Sequence, residues 1–323
     1  METLQQFGIS LIQALQSLSP SLDGLMKFFT FLGTIEFYLL FLTFIYLAVD
    51  SRLGIRVLLI LITTDIWGSN FKLLFHQPRP YWVGGVKKLV EETSYGIPST
   101  HASDSLAVWG YLAYRLRKTW LWIVAVALVV LIGISRLYLG VHFPHDVAFG
   151  WLMGAVWLWV FAKSENRVAS WAKQQGEWIS IGISFTLSLA VILVGLLIQV
   201  WLTGKPDPSQ WSAFAVQART PSYSFTLAGA LFGAISGYVL MKRSAPFRSD
   251  GRWLQRVGRY GLGILGLLVI YFGLDVLFGL IAADETVLGY ALRYIRYATA
   301  TFWVTFIAPW ILLRIGLAER QLT

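Results

Sequence analysis

Cysteine is absent from all 323 residues, which excludes disulfides, thiolate catalysis and cysteine metal sites together. The absence carries no information about redox compartment. Charge is scarce too: 13% of residues are charged, against about 25% in an ordinary soluble domain. With 56% hydrophobic residues and a mean hydropathy of +0.63, the balance is that of a polytopic membrane protein. No basic stretch precedes the first apolar run, so a cleaved signal peptide is not expected. Histidine is rare as well. The chain has four, and all lie between residues 76 and 145. Tryptophan is plentiful, with fifteen residues whose indole rings favour the headgroup level of a bilayer.

Apolar spans of about 20 residues fall near 25–48, 53–72, 100–116, 119–138, 146–163, 178–203, 223–241, 259–282 and 288–313. The fold class is therefore all-α, a polytopic transmembrane helical bundle of about nine helices. Ahead of it, LQQFGISLIQALQSL (residues 4–18) places Leu4, Phe7, Leu11, Ile12, Leu15 and Leu18 at helical spacing. That pattern predicts an N-terminal amphipathic helix, lying on the membrane surface or packed on the bundle. The longest linkers lie at 73–99, 164–177, 204–222 and 242–258.

The net charge of +9 raises the question of nucleic acid, and the placement of the charge answers it. Arg52, Arg56, Arg115, Arg117, Lys118, Lys163, Arg167, Lys173 and the 242–259 cluster all follow odd-numbered spans. The alternate loops hold fewer basic residues, with Glu91, Glu92, Asp207, Asp284 and Glu285 among them. The positive-inside rule makes the basic face cytoplasmic, so the surplus sets topology and suits anionic lipid rather than nucleic acid.

Three polar clusters then meet at the opposite face. In KLLFHQPRP (72–80), Lys72 ends a span and Arg79 sits between two stiffening prolines; alone, both could be snorkelling anchors. In GIPSTHA (96–102), Ser99 is an expected N-cap and His101 lies just inside the helix. A helix start offers amides to an anion, and a nearby imidazole can protonate a leaving group. In GISRLYLGVHFPHD (133–146), Arg136 and His142 flank a glycine turn, and Asp146 follows His142 by one helical turn. A carboxylate on one imidazole nitrogen frees the other as a nucleophile or base. Three cations, a helix start and two histidines suit a tetrahedral dianion. A metal set of His142, His145 and Asp146 is the weaker reading, because Lys72, Arg79 and Arg136 would repel a cation.

At these residues the sequence resembles the type 2 phosphatidic acid phosphatase superfamily of integral-membrane lipid phosphatases. Its pattern is met by Lys72 with Arg79-Pro80, by Pro98-Ser99-Thr100-His101, and by Ser135-Arg136 with His142 and Asp146. The one departure is Thr100, where glycine is usual; it adds a side chain beside the phosphate pocket. Pro-Ser-Thr-His followed by further helices is similar to the sphingosine-1-phosphate phosphatase branch, and also fits bacterial relatives acting on isoprenoid diphosphates. The resemblance implies that His142 attacks phosphorus and forms a phosphohistidine, oriented by Asp146. It implies that His101 protonates the leaving oxygen and then activates water. Lys72, Arg79, Ser99, Thr100 and Arg136 would hold the phosphoryl group, with no metal and no other cofactor.

The resemblance covers residues 1–165, taken as a catalytic core, and leaves 166–323 as an additional transmembrane region. The expected partner is a phosphorylated lipid in the bilayer: sphingosine-1-phosphate-like, phosphatidic acid-like or an isoprenoid diphosphate. The catalytic face is expected to be periplasmic or lumenal, in a bacterial inner membrane or a eukaryotic endomembrane, with the C-terminus cytoplasmic. Two rival readings use the same residues: a transporter or flippase that only binds the headgroup, and a phosphotransferase to a hydroxyl other than water.

Overall fold

The computed structural model describes residues 2–244 and 246–320. Among them every regular element is helical, apart from a lone antiparallel bridge between Phe247 and Arg320. In chain order the α-helices are α1 (Glu2–Gln16), α2 (Asp23–Phe31), α3 (Ile35–Phe44), α4 (Ser51–Phe75), α5 (Pro80–Val83), α6 (Thr100–Leu116) and α7 (Thr119–Tyr138). There follow α8 (Pro144–Gln174), α9 (Glu177–Thr203), α10 (Ser212–Ala218), α11 (Ser222–Ser244), α12 (Trp253–Gly279), α13 (Val287–Phe302) and α14 (Ala308–Arg314). A π turn, Ile45–Val49, ends α3, and another, Trp303–Ile307, joins α13 to α14. Each of the nine expected spans falls on a helical segment.

Among the described residues, six helical segments are long and apolar enough to cross a membrane by themselves, and α2 with α3 makes a seventh, bent by 53°. Two linkers expected from sequence contain short helices, α5 and α10. The molecule is a polytopic membrane helical bundle.

The chain divides into two compact units. The first runs to Phe37 and takes in Thr63–Lys163 and Gly195–Thr220; the second takes Tyr38–Ile62, Ser164–Val194 and the chain from Pro221 onward.

In the first unit, α1 turns Ile12 and Gln16 inward and leaves Leu4 and Phe7 exposed. Gln16 Nε2 donates to Lys87 O at 2.8 Å and Tyr138 O at 2.9 Å, tying α1 to the loop after α5 and to the end of α7. The helix is thus packed by one face and amphipathic toward lipid by the other. α6 and α8 approach closely at Gly150 and Gly154, where an added Cβ would lie 2.5 Å from Ser99 O and Ser103 O respectively. Small residues are what permit such backbone contact between membrane helices. At the break between α2 and α3, a Cβ on Gly33 would lie 2.9 Å from His101 Cδ2.

In the second unit, Gly229, Gly233 and Gly237 on α11 meet the Tyr294 and Ala298 carbonyls and the Thr305 hydroxyl across the α13 interface. Asp50 caps α4, accepting from Arg52 N at 2.7 Å and Leu53 N at 2.9 Å. Asp275 pairs with Arg296, whose guanidinium also lies 5.3 Å from the Tyr271 ring. Arg293 pairs with Asp284 at 3.1 Å. These arginines are therefore charge-compensated.

Candidate active site

His142 sits in the turn between α7 and α8 and is 1% exposed. Its Nδ1 faces Asp146 Oδ2 at 3.3 Å, and that same oxygen accepts from Phe143 N at 2.9 Å. Its Nε2 faces Arg79 Nη1 at 3.1 Å. A guanidinium can only donate, so Nε2 meets it with its lone pair and Nδ1 carries the proton. Burial first, then the charges of Arg79, Lys72 and Arg136, push the imidazole well below the ordinary histidine pKa. The ring is accordingly neutral near pH 7, the form a nucleophile needs.

The cations are fixed largely by main chain. Lys72, in the last turn of α4, donates to Tyr95 O at 2.7 Å. Arg79 precedes α5 and is fully buried; its Nε donates to Ser94 O at 2.6 Å, Nη1 to Val141 O at 2.8 Å and Nη2 to Ser94 Oγ at 2.9 Å. Arg136, in the last turn of α7, donates to the Thr30 hydroxyl and to Glu92. Lys72, Arg79, Arg136, His142 and Asp146, expected from sequence to converge, do come together.

Ser99 holds the extended N-cap position of α6, and its amide donates to Asp146 O at 3.0 Å. Its hydroxyl, however, makes no capping bond. That oxygen is buried without a hydrogen-bond partner, unlike the ordinary capped start considered from sequence. Leaving a buried hydroxyl unpaired is costly in a folded chain. Thr100 directs its methyl at α4, where a Cβ on Gly68 would lie 2.6 Å from Thr100 Cγ2.

Sequence reasoning missed the role of Glu92. Its carboxylate pairs with Arg136 and lies 3.7 Å from Arg79. Burial alone would raise the carboxyl pKa, but Arg136, Arg79, His101 and Lys72 outweigh it and hold the group below the usual carboxylate range. One carboxylate therefore senses every cation of the site, together with His101. Nothing in the pair Glu91-Glu92 marks the second residue; Glu91 is largely exposed and pairs with Lys88 at 3.3 Å. The remaining histidines take other roles. His145 stacks on Phe143 with ring centroids 5.3 Å apart and faces Asp146 Oδ1 at 3.3 Å, while His76 lies edge-on to Tyr95.

Residues 53–169 match the PAP2 superfamily model, and residues 225–320 match the model of the PAP2 superfamily phosphatase transmembrane extension. The chain has the fold of a PAP2 superfamily transmembrane phosphatase. The chain is 24% identical to sphingosine-1-phosphate phosphatase 1 of Rattus norvegicus, over 91% of this chain and 72% of the relative. It is 29% identical to glucose-6-phosphatase 3 of Bos taurus, over 50% of this chain and 54% of the relative. It is 32% identical to undecaprenyl-diphosphatase of Sulfolobus acidocaldarius, over 42% of this chain and 66% of the relative. The chain thus spans about half the length of the bovine protein. The PAP2 match through 169 holds Lys72, Arg79, Ser99, His101, Arg136, His142 and Asp146.

Proposed function

We propose that the chain is an integral-membrane lipid phosphate phosphatase that works through a phosphohistidine on His142. The observation that carries this reading is the Glu92 carboxylate, paired with Arg136 and 3.7 Å from Arg79, whose guanidinium in turn faces His142 Nε2 at 3.1 Å. A carboxylate held by both arginines supports their use as a site for an anion. In the reaction, substrate displaces Glu92 and its oxygens take up Arg79, Arg136, Lys72, the free Ser99 hydroxyl and the amide end of α6 at Thr100. His142 Nε2 attacks phosphorus, and the P–O bond to the lipid breaks as His101 donates a proton to the departing oxygen. Asp146 holds Nδ1–H and stabilises the charge that the ring acquires. Water, relieved of a proton by His101, then cleaves the P–N bond and frees phosphate. Every charge-stabilising group in this sequence is a side chain or amide, so the reaction runs without a metal.

The chemistry lies within residues 1–165, with 166–323 as an appended helical region. The lipid substrate is a phosphomonoester or diphosphate, of sphingosine-1-phosphate, phosphatidic acid or isoprenoid type, approached from the periplasmic or lumenal face.

Kinetics of the detergent-solubilised protein on a panel of lipid phosphates test this reading. His142→Ala is expected to abolish phosphate release, and His101→Ala to slow it by roughly 10²–10⁴-fold, most severely for poor leaving groups. Activity is expected to survive excess chelator and to be inhibited by vanadate, which mimics the five-coordinate transition state. Near-normal turnover by His142→Ala, or activity lost to chelator and restored by a divalent ion, would overturn the assignment.

A further inference from the structure

The chain contributes to its phosphate site from well beyond the motifs. Residues Gly195–Thr220 belong to the same compact unit as the site. There, Arg219 donates through Nε to Asp207, through Nη1 to Leu202 O at 2.9 Å, and through Nη2 to Lys205 O. One guanidinium thus ties the end of α9 to the turn that follows it. The Asp207 side chain, only 4% exposed, is aimed at Tyr95, whose hydroxyl donates to its two oxygens at 3.0 and 3.1 Å. The Tyr95 ring is fully buried against Trp82 and Trp211, with centroids 5.9 and 6.4 Å away. Burial and then the Asp207 charge hold its phenol above the usual tyrosine range, so it remains a donor.

Tyr95 is also where Lys72 is anchored, through the carbonyl at 2.7 Å, and its neighbour Ser94 takes two bonds from Arg79. Taking a carboxylate–guanidinium pair out of water is costly, and an apolar turn would join two helices as well. We propose that Tyr95, Asp207 and Arg219 form a positioning bracket that sets the 94–96 turn, and through it the aim of Lys72 and Arg79 at the phosphoryl group. None of the three touches substrate; they act through the main chain. The inference rests on the phosphatase reading above, and it makes part of the appended region necessary to the catalytic unit.

The test uses the full-length protein with a lipid phosphate substrate and orthovanadate. Tyr95→Phe removes one hydroxyl and keeps the ring; Asp207→Asn keeps the shape and removes the charge. Each is expected to lower kcat/KM about tenfold, mainly through KM, and to raise the vanadate inhibition constant by the same factor, because the same cations hold both anions. The double variant is expected to be no worse than the worse single, as for residues acting in one chain. Arg219→Lys keeps the charge without the fork, and supplies the same readout if either of the others fails to fold. Variants that melt lower yet keep wild-type KM and vanadate inhibition would overturn the bracket, as would fully additive losses. An active wild type with unchanged Tyr95→Phe overturns the inference alone. A wild type that neither releases phosphate nor binds vanadate overturns the phosphatase reading and the bracket with it.

Discussion

At the scale of single residues, the site is a balance between buried cations and one internal carboxylate. Lys72, Arg79 and Arg136 are each at most 6% exposed, and such charges are tolerated when paired or hydrogen-bonded. Main-chain carbonyls satisfy Lys72 and Arg79, while Arg136 depends on Thr30 and Glu92. If Glu92 occupies the phosphoryl position, substrate must compete with it. Glu92→Gln keeps the shape and removes the charge, so inorganic phosphate is expected to inhibit roughly fivefold more tightly, the order of one partly exposed ion pair. Competitive inhibition constants against a lipid phosphate measure this; unchanged or weaker phosphate inhibition would show that Glu92 serves to orient Arg136 instead. The histidines, arginines and Asp146 were legible from their residue types and from the spacing within three short motifs. Glu92, Ser94 and Tyr95 were not. They sit in an irregular loop where no period links sequence position to direction.

At the scale of helices, periodicity and length were legible and the breaks were not. At the bend between α2 and α3, Gly33 packs against His101 from across the fold, a contact that sequence spacing does not reveal. The short α10 leaves no mark in the sequence, because its seven residues carry no span-length apolar run. Helix proximity matters to the site most at α6 and α8, since it brings the Ser99 amide to the Asp146 carbonyl. Gly154→Val places branched carbon where even a single added Cβ would lie 2.5 Å from Ser103 O. Overpacking of this kind costs about 1–3 kcal/mol. The variant is expected to melt at lower temperature and to lose activity, by displacing the start of α6 from His142. A Gly154→Val protein with wild-type melting and turnover would show that the two helices are not held this closely.

At the scale of the whole molecule, composition alone marked a membrane bundle, and the proposed sidedness rests on charge. The segment 242–259 carries Lys242, Arg243, Arg248, Arg252, Arg256 and Arg259 against Asp250. It is the strongest cytoplasmic marker in the chain by the positive-inside rule, and Arg115–Lys118 supports the same side. Because the chain lacks cysteine, single cysteines in place of Lys88 and of Arg248 are expected to react with an impermeant thiol reagent from opposite sides. Labelling of the Lys88 position only from the cytoplasmic side would turn the catalytic face inward. The most direct measurement of the central claim is chemical trapping of the intermediate. The protein is mixed briefly with a ³²P-labelled lipid phosphate, quenched in alkali, where a phosphohistidine persists, and digested. Label is expected on the peptide that contains His142, discharged by acid and absent from His142→Ala. Phosphate release at full rate with no alkali-stable label on that peptide would contradict the account.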